Sequence, residues 1–279
     1  MINKTIFQEK ELIWTGIAGI AIGLICIIPF LLYGDPIPPE GKWSKVITFD
    51  LAIGVFALTT AILLPFIGLN EQQRKKFVYS LIGSFWFAYL VETIQNIRGF
   101  DPRFTKAGQL SDRLIGISLG LDALIMIVCV VYLLIVLFRQ ANPKYKAFHL
   151  SMRYACLSVL LAFAGGIWMT ILQGRITPSG VNIMILHFVG LHGYQAIPMI
   201  GWFVTQGAFS ASAAKRWVHV GGSAWNLFCV FLFVQTGLGY DAFQLAIPLL
   251  LAGIALLIWA VIICYTGQQF LRERRKQSV

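Results

Sequence analysis

The run LIGISLGLDALIMIVCVVYLLIVLF, residues 114–138, places a single charged side chain in 25 positions. At 1.5 Å per residue a helix of this length reaches about 37 Å, more than the ~30 Å hydrocarbon core of a bilayer. A helix apolar on every side suits lipid as its surroundings. The same signal recurs on both sides of this run. Segments 12–33, 47–69, 77–98, 153–174, 182–206, 217–237 and 244–268 also qualify as spans, separated by charged or Pro-rich pieces such as residues 34–39 and 71–76. The expectation is one all-α transmembrane domain over 1–279, a polytopic helix bundle of about eight spans.

Composition agrees. Of 279 residues 58% are hydrophobic and 12% charged, about half the charge of a soluble domain. A water-soluble fold of this length has no core large enough for so much apolar surface. The net charge of +10 does not indicate nucleic acid, because the cations lie in short connections where they set topology. Cys26, Cys129, Cys156, Cys229 and Cys264 all fall in apolar stretches without metal-ligand spacing and read as packed thiols. The first run exceeds the ~7–15 residues of a signal-peptide core and no A-x-A site follows it, so it reads as an uncleaved span. Within it, Gly19 and Gly23 form a G-x-x-x-G that permits close helix packing.

Fifteen of the 22 Lys and Arg residues fall on the side of the two termini, Lys4 and Lys10 among them. The positive-inside rule therefore predicts both termini in the cytoplasm. Four of the seven cations on the other side crowd into RGFDPRFTKAGQLSDR, residues 98–113. Something other than topology is expected to keep them, either a partner or a set of internal ion pairs. Spans 2 and 6 also align weakly, ALTTAILLPFIGL (57–69) against GLHGYQAIPMIGW (190–202), which would suit a 4+4 parallel repeat in which Pro65 and Pro198 both bend their helices.

Ionisable groups inside a span are costly and mark function by default. Glu92 lies in the outer part of span 3, with Gln95 and Asn96 at the following turn on the same face. Asp122 falls in the outer third of span 4, and Asp50 opens span 2 near the outer surface. Gln173 and Arg175 close span 5, and Gln235 closes span 7. Span 6 carries His187, His192 and Gln195, with Gly190 and Gly193 leaving room beside the imidazoles. Glu92, Asp122, His187, His192, Gln95 and Gln195 would then line one outward-opening cavity. The alternative is that each simply satisfies a neighbour between helices.

His187 and His192 are five residues apart, about 140° around one helix, so they cannot be the two axial ligands of one haem. A haem held by His149 and His219 would need His149, read as a loop residue, to reach the bundle. A mixed set of His187, His192, Glu92 and Asp122 would suit zinc or iron, although no HExxH pair is present. There is no G-x-S-x-G and no Walker loop. No cofactor is identified. Carboxylates and histidines at depth fit a proton or cation relay best.

LHFVGLHGYQAIPMIGW (186–202), with ETIQNIRGFDPRF (92–104), resembles a pattern in bacterial multi-pass membrane proteins of unknown function. That family shows HFxGLHxxQxxP and an upstream RGxxxxF. His187, Phe188, Gly190, Leu191, His192, Gln195 and Pro198 match the first, and Arg98, Gly99 and Phe104 the second. The resemblance implies a bacterial cytoplasmic membrane and no particular activity. The leading expectation is binding, with or without translocation, of a small solute or ion. His187 and His192 would relay protons, Glu92 and Asp122 balance charge, and Arg98 and Arg103 hold anionic groups at the mouth. A metal or redox enzyme on the same residues is the first alternative. An accessory protein docking a partner through 98–113 is the second.

Overall fold

The computed structural model describes residues 8–139 and 143–277; Lys4 lies outside the described residues. The chain is all-α. Its helices are α1 (Lys10–Ile25), α2 (Ile27–Tyr33), α3 (Trp43–Leu63), α4 (Glu71–Ile97), α5 (Leu110–Arg139), α6 (Lys146–Leu172), α7 (Met184–Gln206), α8 (Ala211–Gly237) and α9 (Ile247–Gln277). Helices α1 and α2 form one span, broken at Cys26 because Pro29 has no N–H to return to the Ile25 carbonyl. Among the described residues seven spans are long and apolar enough to cross a membrane. The eighth, α7, is 23 residues long but diluted by two His, Gln195 and three Gly. Large side chains such as Leu31, Val128 and Leu257 stand exposed, as a lipid-solvated surface requires. The chain is a multi-pass membrane protein.

Two compact units divide the chain, Met1–Cys129 and Val130–Val279. In the first, α1 lies against α3 through facing glycines. A Cβ on Gly16 would come within 2.9 Å of the Gly54 carbonyl, and one on Gly54 within 2.8 Å of the Gly16 carbonyl. Gly23 meets Leu51 of α3, while Gly19 takes the buried ring of Tyr89 from α4. The predicted G-x-x-x-G notch thus serves two neighbours at once. Helix α4 starts with a reciprocal Asn70–Gln73 capping box. A short hairpin, β1 (Pro36–Ile37) with β2 (Gly41–Lys42), joins α2 to α3. Asp35 reaches across it to accept from Ser44 N–H at 2.8 Å in the first turn of α3.

In the second unit α6 and α7 run together along a seam of small residues. Gly190 faces Ala162, Gly193 faces Ser158 and Gly201 faces Ser151, with no room for a Cβ at any of the three. The glycines expected to leave space beside the imidazoles instead admit the neighbouring helix. Helix α8 closes over the seam, and Trp225 Nε1 donates to Ser158 Oγ at 3.1 Å. Ile200, Val204, Ala214, Val218 and Ile262 form an apolar core toward one end. Arg153 of α6 donates to the Leu137 carbonyl at 2.7 Å, capping the end of α5. Pro198 sits inside α7, whereas Pro65 ends α3 in a 3-10 turn over Leu64–Phe66. The two aligned prolines therefore do different work. Of the five free cysteines, four are buried and Cys264 is exposed.

Candidate functional site

The first unit holds a charged site where α3 begins and α4 ends. Helix α3 starts at Trp43, four residues earlier than the sequence suggests, which sets Asp50 about two turns inside the helix. Glu92 lies five residues before the end of α4, so both carboxylates fall in the same part of the unit. Both are fully buried, at 0% exposure.

Arg103 reaches Glu92 from the α4–α5 connection. Its NH1 donates to Oε1 at 3.4 Å, and its NH2 makes an ion pair with Oε2 at 2.8 Å. The guanidinium lies over the Phe49 ring at 4.7 Å, next in sequence to Asp50. Asn96 Nδ2 donates to Glu92 Oε1 at 3.3 Å, and Asn96 Oδ1 accepts from Lys42 N–H at 3.1 Å. Thr93 Oγ1 donates to Asp50 Oδ2 at 3.0 Å. Asp50 Oδ1, by contrast, has no hydrogen-bond partner among the described residues. Asp50 lies within electrostatic reach of Glu92, Arg103, Cys26 and Tyr89.

A clasp covers this end. The Gly99 carbonyl accepts from Glu40 and Gly41 N–H at 2.7 and 2.9 Å, joining the hairpin to the 98–109 segment. Gly99 has φ +85°, and a Cβ there would strike the Pro38 carbonyl, so glycine is required. The Glu40 carboxylate accepts from Thr105 Oγ1 and from the backbone N–H groups of Lys106, Ala107 and Asp101. Burial alone would raise its pKa, but these hydrogen bonds outweigh burial and hold the carboxyl below the usual glutamate value. Lys45 bridges Asp101 at 2.7 Å and the Glu40 carbonyl at 3.2 Å. Arg98 pairs with Asp112 at 2.7 Å, and Gln95 Nε2 donates to the same Asp112 oxygen at 3.2 Å. The crowded basic segment is therefore tied inward by ion pairs at Arg98 and Arg103, while Lys106 and Arg113 stay exposed.

Other candidates fall elsewhere. Ser84 Oγ donates to Asp122 Oδ2 at 2.9 Å in the interior of the first unit. Ser84 lies about 12 Å along α4 from Glu92, so Asp122 and Glu92 occupy different levels. In the second unit His187 Nδ1 donates to the Ala162 carbonyl at 2.7 Å, a tie from α7 to α6. His192 Nδ1 donates to Gln195 Oε1 at 3.3 Å within α7, and its ring meets Phe188 edge-on at 4.1 Å. His149 stands inside the first turn of α6 instead of in a loop, and His219 Nδ1 is bonded to Tyr154 Oη at 2.9 Å. Gln235 donates to the Asp241 and Gln244 carbonyls at 2.9 and 2.8 Å, pinning the connection to α9. Among the described residues no three His, Cys, Asp or Glu side chains gather as a metal site.

Sequence reading undervalued Asp50, Thr93 and Phe49. The signal is an aspartate after ITF in a span otherwise free of charge. A span that starts at residue 47 puts it at the helix end, whereas α3 starts at Trp43. Compared with protein-family profiles, curated proteins and solved structures, the chain matches none.

Proposed function

We propose that this multi-pass membrane protein binds a small cation, the proton included, at Asp50 and handles that ion across the membrane. The observation that carries the reading is a charge imbalance at a buried site. Two carboxylates, Asp50 and Glu92, are both 0% exposed, and Arg103 is committed to Glu92. An ionised carboxylate without water or a counter-charge is strongly disfavoured, so Asp50 calls for a positive partner from outside the chain.

The asymmetry of Lys and Arg supports an orientation with both termini in the cytoplasm, which would set the clasp and the site on the outer side. The likeness of residues 92–104 and 186–202 to bacterial multi-pass proteins supports a bacterial cytoplasmic membrane. In this reading Arg98 and Arg103 brace the site through Asp112 and Glu92. His187 ties α7 to α6 in the second unit, and His192 and Gln195 bond to each other along α7.

The test is ion flux and binding on the full chain in proteoliposomes, wild type beside Asp50→Ala. Sodium and rubidium tracers and a lumenal pH dye are read under an imposed gradient. The expected result is binding or movement of one of these ions that Asp50→Ala loses. Identical behaviour of the two proteins with all three ions would overturn the proposal.

A further inference from the structure

The identity of the ion follows from what surrounds Asp50, given that the site binds a cation as proposed above. Three cations at this end of the first unit, Lys45, Arg98 and Arg103, already have their anions. Lys45 is on Asp101 at 2.7 Å, Arg98 on Asp112 at 2.7 Å and Arg103 on Glu92 at 2.8 Å. Asp50 is left over. One of its oxygens accepts from Thr93 Oγ1 at 3.0 Å, and the other has no hydrogen-bond partner among the described residues.

A hard metal cation needs about six or more oxygen ligands. The neighbouring side-chain oxygens of Thr93 and Glu92 are already engaged. Thr93 Oγ1 points its hydrogen at Asp50, and the two carboxylate oxygens of Glu92 face the two prongs of Arg103. A proton needs one oxygen lone pair and no coordination shell. Asp50 Oδ1 is such a lone pair, in a side chain that is 0% exposed.

We propose that Asp50 is the proton-binding residue of this membrane protein, loaded at Oδ1, with Thr93 holding Oδ2 and the Glu92–Arg103 pair as a fixed neighbour. The step is a transfer from hydronium to the carboxylate. One O–H bond breaks in hydronium, one forms on Oδ1, water leaves, and the site passes from one net negative charge to none. The titratable groups around it are Glu92 and Tyr89 from α4, Arg103 from the clasp and Cys26 at the break in the first span. Glu92 and Arg103 cancel, Tyr89 Oη is turned toward the Thr15 carbonyl at 3.4 Å, and Cys26 is a buried free thiol. Asp50 is the acid left to exchange a proton.

The experiment is infrared difference spectroscopy on the full chain in lipid nanodiscs, following the C=O stretch of a protonated carboxyl group against pH. In wild type a deuterium-sensitive band should titrate, and Asp50→Asn should abolish it. Asparagine mimics the protonated acid in shape, so Asp50→Asn should keep the wild-type elution profile and melting temperature. Thr93→Val removes a donor that favours the ionised form, so the band should remain while proton affinity rises about tenfold. Persistence of the band in Asp50→Asn would overturn the assignment, as would its absence from wild type. If sodium or rubidium then binds in an Asp50-dependent way, the cation-binding reading stands and the proton is the wrong ion. If neither proton nor metal ion depends on Asp50, both proposals fall together.

Discussion

In the first unit two fully buried carboxylates, Asp50 and Glu92, share one site with the half-buried Arg103 and Thr93. In the second, Ser158, Asn226 and His187 are each spent on a backbone carbonyl of a neighbouring helix. Ser158 donates to the Gly190 carbonyl at 2.7 Å, Asn226 to the Tyr154 carbonyl at 3.1 Å and His187 to the Ala162 carbonyl at 2.7 Å. Neutral ties of that kind hold helices together with little at stake if one is lost. Charges at depth are different, because their cost stays high unless every one has a partner. The contrast separates a region held by ties to backbone carbonyls from one in which two buried carboxylates meet a single guanidinium.

Arg103→Ala should break this contrast most sharply. It leaves Glu92 buried beside Asp50 with no counter-ion, at a cost of roughly 3–5 kcal/mol. We expect a strongly lowered melting temperature by fluorescence-detected size exclusion, with most of the loss recovered in Arg103→Ala/Glu92→Gln. If the double variant were no better than the single one, Arg103 would be acting through its stacking on Phe49 and the charge argument would fail.

In the second unit the largest effect should come from backbone proximity. A Cβ on Gly190 would sit 2.8 Å from Ala162 Cβ and 2.9 Å from Ala162 N, so α6 and α7 must part. Gly190→Ala should cost about 1–3 kcal/mol by overpacking. Gly253 in α9 has open space around it, so Gly253→Ala should be neutral or slightly stabilising through helix propensity. Equal behaviour of the two would mean that the seam is looser than its geometry.

Much of the architecture was legible because lipid reads average apolarity over a whole turn. All eight spans occur as helices, and even α7, with its histidines and glycines, forms near the expected 182–206. Boundaries were less legible. Helix α3 begins at Trp43, and nothing in WSKV reveals that Asp35 caps it from across a hairpin. That error carried Asp50 to the surface in the sequence reading and away from the candidate set. The site suffered in another way as well. Depth along a span places Glu92 and Asp122 in the same outer zone, yet which turn of α4 Asp122 meets depends on packing. Ser84 takes Asp122, and Arg103 reaches Glu92 from a loop that no periodicity describes. The glycines of α7 were misread for the same reason, since a missing side chain looks like space until a neighbouring helix fills it.

The clasp tests whether the charged site needs its cover. Glu40 has a folded pKa below its ordinary value. The stability it contributes is therefore present above the unfolded glutamate pKa and is lost as pH falls through the folded one. Wild type should lose stability on acidification below the usual glutamate range, and Glu40→Gln should be less stable at neutral pH by about 1 kcal/mol with a flatter acid dependence. Melting curves at several pH values decide it. An unchanged slope in Glu40→Gln would assign the acid sensitivity to other carboxylates.

The smallest expected effect sharpens the comparison from the other side. His187 donates from Nδ1 to a backbone carbonyl of the neighbouring helix, and hydrogen bonds between membrane helices average about 0.6 kcal/mol. His187→Ala should accordingly shift the melting temperature only slightly and leave Asp50-dependent ion binding as in wild type. Because His187 opens the HFxGLHxxQxxP run, a large effect would carry weight. Loss of ion binding in His187→Ala, with the fold intact, would mean that the imidazole does more than tie α7 to α6. The second unit would then belong to the ion-handling machinery, and the division between a packing region and a charged region would have to be given up.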